Sequence, residues 1–494
     1  MKIARAQEMR DAEGRAFAAG LPARVLMETA GGAVARAASA HLPPGGSCLV
    51  VVGPGQNGGD GLCAARHLLA QGMQATVWLL ADPSRLRGDA LDQYRILKGA
   101  AAVRWVDQEE TPQGMFDAAI DAIFGISLRG ELSGAALRAV HFLAARDLPV
   151  VAVDLPSGVR ADTGEVAGSA VRADCTVALG ALKPGHVFLP GRGYVGKVVV
   201  ESMGLLPAWT RDLPLSLIGR MPPGGGQGAQ EPKQSYGRAL VIAGSAQYPG
   251  AAWLAARGAA RGGAGMTILA SVEAVLSHPA ALPEVILRHL HGRDGRIDPA
   301  ALLREQFEDA QAVAIGPGLG AMEDAPAWRR AILAIARPLV LDADGLRAFA
   351  GCPEKLSGRT APTVITPHLG EARHLLGHAV GDAPHERLAA AEELARRTGA
   401  VALLKGQPTF VATPDGRVGL IDAGGPELAS AGTGDVLTGL IAAQLAQGVP
   451  ARPAAERAAL AHARAGERLR STAARGHLAS EIADCAALTL GEES

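Results

Sequence analysis

The chain has 494 residues, enough for two or three domains at about 100 to 200 residues each. Its 48 Lys and Arg against 49 Asp and Glu leave a net charge of −1, and aromatics at 3% leave few stacking platforms, so neither a nucleic acid nor an anionic membrane is expected as partner. The cysteines (Cys48, Cys63, Cys175, Cys352, Cys485) are odd in number without a Cys-x-x-Cys pair. The start MKIARAQEMRDAEGRAFAAG lacks a secretory apolar core, and no uncharged apolar run reaches about 18 residues, so a reducing cytoplasm is expected.

Helices are predicted over residues 6–19 and 23–40, ahead of the first strand. Strand and helix then alternate: SCLVVVG (47–53), a helix over 59–71, ATVWLL (75–80), a helix over 85–98, AAVRWV (101–106), FDAAIDAIFG (116–125), a helix over 135–146 and LPVVAVDLPSG (148–158). Short apolar runs separated by amphipathic stretches predict a parallel sheet with helices on both faces. The stretch LPLSLIGRMPPGGGQGAQEPKQ (213–234) breaks this rhythm and predicts a linker over 214–234 between domains 1–213 and 235–494. The rhythm resumes with RALVIAGS (238–245), a helix to about 261, GMTILA (265–270), VAIGPGLG (313–320), a helix over 325–335, PLVLDADGL (338–346), TVITPH (363–368), a helix over 385–397 and VALLKG (401–406). The fold class is therefore α/β, with two doubly wound domains.

In the first half, SCLVVVG runs into GPGQNGGDG (53–61), where glycines admit a close ligand and free N–H groups at a helix start attract phosphate. Asn57 and Asp60 stand inside that turn, and a carboxylate there repels phosphate unless it has its own chemical task. Asp121 and Asp154 each close an apolar run at a Gly-containing loop, and in a parallel sheet such strand ends share one crevice. Asp60, Asp121 and Asp154 with Asn57 and Ser157 then either supply hard oxygen ligands for a cation plus a spare acid/base group, or merely cap their loops.

In the second half, AGTGDVLTGLIAAQLAQG (431–448) sets Gly432, Gly434 and Asp435 at the start of a long apolar helix. A carboxylate at that spot can take a proton from an alcohol while the helix end steadies a transferring phosphoryl group, or it can simply cap the helix. His368 either contacts a ligand or bonds its own loop, and Lys405 either meets a phosphate or snorkels to solvent. Asp342 and Asp344 either orient Mg²⁺ or cap a turn, and the His289–Leu290–His291 pair has no further ligands nearby in sequence, so no metal is assigned to it.

METAG (27–31), GPGQNGGDG (53–61), DAIFGISLRG (121–130) and DLPSG (154–158) together resemble the NAD(P)H-hydrate epimerase family across the N-terminal domain. The resemblance implies a Rossmann-like three-layer sandwich with a potassium ion on Asn57, Asp121 and Ser157. It also implies a hydrated dinucleotide bound by Gln56, Asn57, Gly58, Gly59 and Asp60, by Gly125, Ile126, Ser127, Leu128, Arg129, Gly130 and Glu131, and by Asp154, with Asp154 and Asp60 moving protons. Gln56 stands where the family loop usually carries the first of two asparagines.

SYGRALVIAGSAQYPGAA (235–252), GPGLG (316–320), LDADGL (341–346), TPHLGE (366–371), LLKG (403–406) and GTGD (432–435) resemble the ribokinase-like ADP-dependent NAD(P)H-hydrate dehydratases. By that resemblance Ala251, Gly320, His368 and Asp435 meet the hydrated substrate, and Lys405, Gly406, Gln407, Pro408, Thr409 and Gly434 bind the adenine nucleotide. Asp435 would be the base, with ADP as co-substrate and Mg²⁺ as its companion. Ala431 replaces the glycine that the family more often carries before GTGD. The function expected is bifunctional repair: the N-terminal domain epimerises R and S hydrates of NADH and NADPH, and the C-terminal domain dehydrates the S form with ADP to give NAD(P)H, AMP and phosphate. A homo-oligomer is expected, since folds of this kind often assemble. Two rivals are a kinase of a vitamin-like alcohol, because the fold is shared, and an N-terminal domain that binds without chemistry.

Overall fold

The computed structural model describes residues 1–166, 168–224, 236–278, 282–304 and 307–492. Two compact units divide the chain, Met1–Pro214 and Leu215–Ser494.

The first unit runs β1 (Lys2–Ile3), α1 (Ala6–Ala18), α2 (Ala23–Ser39), β2 (Ser47–Val52), α3 (Gln56–Ala70), β3 (Gln74–Leu79), α4 (Gly88–Lys98), β4 (Val103–Val106) and β5 (Ala118–Ala122). It continues with α5 (Gly134–Ala144), β6 (Val150–Val153), β7 (Cys175–Leu179), α6 (Pro184–Val187), β8 (Lys197–Glu201) and α7 (Pro207–Thr210). Seven strands form one sheet in the order β4-β3-β2-β5-β6-β7-β8, parallel throughout. Alternate residues of each strand enter opposite cores. Val50 and Val52 pack with Ala30, Val34, Leu62 and Leu68 of α2 and α3, while Leu49 and Val51 pack with Val140 and Leu143 of α5. That two-sided burial makes the strands read as unbroken apolar runs. Chain order reverses between β2 and β5, so a crevice opens beyond their carboxyl ends.

The glycine-rich string is mostly helix. α3 begins at Gln56, three residues before the predicted start, because its glycines serve packing: a β-carbon on Gly58 would overlap the Gly53 carbonyl oxygen and one on Gly61 would overlap Ala122. Similarly α4 begins at Gly88 rather than 85, since Pro83–Arg85 forms a 3₁₀ turn after Asp82 accepts the Ser84 N–H.

The second unit runs β9 (Leu215–Leu217), β10 (Arg238–Ile242), α8 (Pro249–Arg261), β11 (Met266–Ser271), α9 (Glu273–Leu276), β12 (Ile286–His289), β13 (Gly292–Arg293), β14 (Arg296–Ile297) and α10 (Pro299–Arg304). Next come β15 (Ala312–Ile315), α11 (Ala325–Ala334), β16 (Leu339–Leu341), α12 (Asp344–Arg347), β17 (Thr363–Ile365), α13 (Leu369–Leu376) and α14 (Pro384–Thr398). The unit ends with β18 (Val401–Leu404), β19 (Thr409–Ala412), β20 (Val418–Ile421), α15 (Thr433–Ala446), α16 (Ala451–Arg470) and α17 (Ala479–Gly491). Its main sheet has the order β9-β20-β19-β18-β17-β16-β15-β10-β11-β12, parallel except where β19 meets β18 and β20. The switch point lies between β10 and β15.

The expected linker needs correction at its start. Residues 215–217 are strand β9, paired in parallel with β20, because the Leu-Ser-Leu alternation buries Leu215 against the sheet. Residues 225–234 of that linker lie outside the described residues.

α15 is buried on every side from Val436 onward, packed between α8 and the sheet strands β10, β15 and β16. Such closeness requires missing side chains: a β-carbon on Gly439 would overlap the Ala255 carbonyl oxygen, and one on Gly258 the Val436 carbonyl oxygen. Gly439→Ala is expected to destabilise this unit by about 1–3 kcal/mol, the usual cost of overpacking. Gly250→Ala in α8, where a β-carbon meets nothing within 4 Å, is the control in calorimetric unfolding.

Two candidate active sites

The first site lies at the β2/β5 crevice. α3 presents Asn57 and Asp60 on one face of its first turn, three residues apart. Asp121 closes β5, wholly buried, and accepts from Ser157 N and Ser157 Oγ at 2.7 Å each and from Ile123 N at 3.2 Å. Burial pushes its carboxyl up to about 6 against the pull of those donors. Asn57 Nδ2 is buried without a hydrogen-bond partner.

Asp154 follows β6 with φ +63°, a conformation that costs a non-glycine residue energy and persists only where its surroundings hold it. Two residues that the sequence reading did not single out hold it. Lys183, 1% exposed, ion-pairs with Asp154 Oδ1 and donates to the Leu179 carbonyl at 2.5 Å. His186 Nδ1 accepts the Lys183 N–H at 2.8 Å while its Nε2–H donates to the Asp154 carbonyl oxygen at 2.6 Å. That geometry fixes one neutral tautomer, and burial with the Lys183 charge pushes the imidazole down to about 4. Asp154 Oδ2 instead faces Gly125, where a β-carbon would lie 3.0 Å from it and 2.8 Å from Asn57 Oδ1. Gly125 therefore keeps the floor between these two groups open.

A cavity of about 520 Å³ brings together Gln56, Asn57, Asp60, Gly125, Ile126, Ser127 and Asp154, with Glu13 and Phe17 of α1 and Lys183 around them. Burial first, then the charges of Asp154 and Glu13, holds Asp60 well above the ordinary carboxylate range. Glu13 is itself raised by burial, with Lys183 opposing and Asp154 adding. The remaining expected residues do not line this cavity. Gly58 and Gly59 are buried helix positions, Gly59 packed on Met27 and Ala90; Leu128 packs against the core beside α5; Arg129, Gly130 and Glu131 are exposed. Asp121 and Ser157 also stay outside the cavity lining. The signals missed were the LKPGH string after β7 and the polar face of α1, neither of which ends a strand in a carboxylate.

The second site gathers loops beyond the carboxyl ends of β10 and β15 to β18. Asp342, 1% exposed, accepts from Lys405 Nζ at 2.8 Å and from Thr438 Oγ1 at 2.6 Å. Lys405 Nζ also lies 3.8 Å from Glu371 Oε2, and a β-carbon on Gly434 would sit 3.5 Å from it, so the ammonium lies over the first turn of α15. Burial opposes that charge, but Asp342 and Glu371 outweigh it and hold the ammonium above its usual range. Asp435, in the same turn, is pushed up to about 7 by burial first and then by Asp342, with Lys405 pulling the other way.

Asp344 Oδ2 accepts the Gly320 N–H at 2.9 Å and thereby ties α12 to the GPGLG loop. A β-carbon on Gly318 would reach 2.8 Å from that of Ala251, which sets α8 against the same loop. His368 does bond its own loop: Nδ1 accepts from Gly370 N at 2.9 Å and Glu371 N at 3.2 Å, and Glu371 accepts the His368 N–H at 2.8 Å. The ring remains 60% exposed with Nε2 3.5 Å from Glu371 Oε1.

The loop from Lys405 to Thr409 is laced by Arg387 of α14, which the sequence reading also passed over. Its buried guanidinium donates to the carbonyls of Gln407 at 2.9 Å, Pro408 at 2.8 Å and Lys405 at 3.4 Å, and a β-carbon on Gly406 would overlap it. Thr409 Oγ1 bonds the Gly406 carbonyl at 2.7 Å and Gln407 Nε2 the Gly424 carbonyl at 3.0 Å. His289 and His291 only stack edge to face, rings 5.8 Å apart. Among the described residues the one close group of possible metal ligands is Glu28, Cys63 and His67, where Glu28 already pairs with Arg66.

The family described as NAD(P)H-hydrate dehydratase matches residues 239–487, and the YjeF-related protein N-terminus matches residues 23–185. The bifunctional NAD(P)H-hydrate repair enzyme Nnr of Thermofilum pendens is 38% identical over 483 residues, 94% of this chain and 92% of the relative. The enzyme of the same name from Gloeobacter violaceus is 39% identical over 482 residues, with 94% and 92% covered. A solved ADP/ATP-dependent NAD(P)H-hydrate dehydratase from Bacillus subtilis, co-crystallised with ATP and Mg²⁺, is 32% identical with a TM-score of 0.47 and covers 53% of this chain and 92% of that one. With both family matches in order and relatives alike over nearly their whole length, the chain belongs to the bifunctional NAD(P)H-hydrate repair enzymes, an epimerase followed by a dehydratase.

Proposed function

We propose that the first unit interconverts the R and S hydrates through Asp60 and Asp154, and that the second unit uses ADP to dehydrate the S form through Asp435. The observation that carries the reading is Asp435, pushed up to about 7 beside Lys405 at the half-buried start of α15.

In the hydrate the carbinol carbon is bonded to the ring nitrogen, whose electron pair can expel a protonated hydroxyl. Asp60, its carboxyl raised well above the ordinary range by burial, gives the proton to that hydroxyl, water leaves, and a carbon–nitrogen double bond forms in the ring. Water then adds to the other face and passes a proton to Asp154 Oδ2, the oxygen not engaged by Lys183. A proton and a water are each used and returned, so only the configuration changes. The lining residues from Gln56 to Asp60 and from Gly125 to Ser127 bind the dinucleotide in this reading.

Asn57, Asp121 and Ser157 suit a potassium ion: Asp121 is a fully buried carboxylate without an ion-pair partner among the described residues, and Asn57 and Ser157 add hard oxygens. When bound, the ion would supply positive charge against the buried Asp121 carboxylate. Asp342 does not suit Mg²⁺ in the same way, since the Lys405 ammonium already lies against its carboxylate, so Mg²⁺ would accompany the phosphates of ADP.

In the second unit the hydroxyl of the S hydrate gives its proton to Asp435, and its oxygen attacks the terminal phosphorus of ADP, releasing AMP. The N–H groups of α15 and the Lys405 ammonium hold the transferring phosphoryl group, and Gly406 to Thr409 hold the nucleotide. Phosphate then leaves, the adjacent ring carbon loses a proton, and the ring double bond returns. Ala251, Gly320 and His368 bound the substrate side of the same crevice. The five cysteines, all free, suit a reducing cytoplasm, and no described helix is long and apolar enough to cross a membrane. Assembly into a homo-oligomer remains part of the reading, on the habit of such folds.

The test supplies mixed R and S hydrates with ADP, Mg²⁺ and K⁺ and follows the near-ultraviolet absorbance of the reduced nicotinamide. Both shares are expected to recover, dependent on ADP; recovery of the S share alone would sink the epimerase assignment. Asp154→Asn is expected to slow recovery of the R share by about 10²- to 10⁴-fold while leaving the S share intact. The base form of Asp435 predominates only above its raised value of about 7, so S-hydrate turnover is expected to fall with pH below that point and level off above it. Asp435→Asn is expected to lower the plateau by about 10²- to 10⁴-fold, and an unchanged plateau would remove Asp435 from the mechanism.

A further inference from the structure

Ser245 follows β10 at the switch point of the second unit. It is 1% exposed, and its hydroxyl has no hydrogen-bond partner. A buried hydroxyl left unpaired is unfavourable and marks a place where a ligand or water completes the set. Its neighbours show what kind of ligand fits. Gly320 takes φ +85°, and a carbon atom on its open face would lie 3.7 Å from Ser245 Oγ and 3.6 Å from Arg296 Nε, ordinary contact distances for an atom seated between them. Arg296 belongs to the β13–β14 hairpin, whose turn is fastened beside Ser245 by Ala246 N–H donating to the Gly295 carbonyl at 2.8 Å. The guanidinium pairs with Glu323 at 3.0 Å, but Glu323 is 84% exposed, so solvent screens that pair and an anion can replace it.

We propose that Ser245 and Arg296 form, over Gly320, a subsite for the diphosphate bridge of the hydrated dinucleotide. The guanidinium fork matches two phosphate oxygens, and the serine hydroxyl donates to a third acceptor. This deepens the dehydratase reading and rests on it: Gly320 is tied through Asp344 to the crevice that holds Asp435, so the bridge and the reacting ring occupy adjoining stretches of one groove.

The full-length protein is assayed with S hydrate varied at saturating ADP, and with ADP varied at saturating S hydrate. Arg296→Gln is expected to raise KM for the hydrate about ten- to hundred-fold, as befits a lost charge-assisted hydrogen bond, with KM for ADP unchanged. Arg296→Lys should recover part of the loss and Ser245→Ala should raise the same KM more modestly. Glu323→Gln removes the ion pair alone and should leave hydrate KM unchanged or lower it. An unchanged hydrate KM in Arg296→Gln, a rise in KM for ADP instead, or Glu323→Gln copying Arg296→Gln would each overturn the proposal. Wild-type protein that recovers nothing from the S hydrate would instead sink the dehydratase reading. Intact NADPH, titrated by its own fluorescence, then decides the subsite separately: weaker binding in Arg296→Gln upholds it and equal binding refutes it.

Discussion

In each unit a lysine, buried in the first and half-buried in the second, is set against one buried aspartate while a second aspartate close by is held above its ordinary range. Lys183 pairs with Asp154 and Asp60 is raised; Lys405 pairs with Asp342 and Asp435 is raised. Burying an ammonium is costly unless a carboxylate lies against it, and removing one partner from such a pair typically costs about 3–5 kcal/mol. The arrangement therefore ties the geometry of the loops to the charge within them. It also separates neighbouring carboxyls, one lying against its cation and another raised by burial, so that the raised one exchanges its proton at a higher pH than an exposed carboxyl. A site that must both give and take protons needs that asymmetry, and neither unit obtains it from histidine.

The small residues make the same architecture possible at close range. Aromatics are only 3% of the chain, and the helices compensate by approaching the sheets and one another through glycine and alanine. Gly58 and Gly61 press α3 onto Gly53 and Ala122, and Gly258 and Gly439 press α8 and α15 together. Because the glycines of α3 are consumed in packing, only Gly53 to Gly55 form the turn ahead of it, and Asn57 and Asp60 project from a helix rather than from a loop. Helix placement fixes their spacing more firmly than a loop does, which is what a proton-transferring pair requires.

What the sequence disclosed was what ends a strand. Asp121, Asp154 and Lys405 were legible because an apolar run stops there and parallel strands finish on one edge, and the start of α15 because glycines and an aspartate precede a long apolar run. Less could be seen where partners come from distant segments. Lys183 and His186 sit about thirty residues beyond Asp154, Arg387 approaches its loop from the preceding helix, and Ser245 looks like an ordinary small residue until burial without a partner is known. Glycine misled as well, since the same letters signal a turn by propensity and a helix by packing. The run from Leu128 to Glu131 shares a motif with Gly125, but Leu128 packs on the core and residues 129–131 are exposed outside the cavity lining.

Beyond Asp435, α15 has no solvent face. A helix with water on one side can fray or shift without disturbing the rest, whereas this one is clasped from Val436 onward by α8 and three strands, so the support beneath its first turn loosens only if the core loosens. Chemistry is thus anchored to the least adaptable part of the unit, where almost any change of volume is felt. The β13–β14 hairpin is a short surface appendage fastened at its tip, and it can be lengthened or recharged without reaching that core. Variation in which molecules are admitted is then free to accumulate at the rim while the reaction itself stays locked within the folded interior.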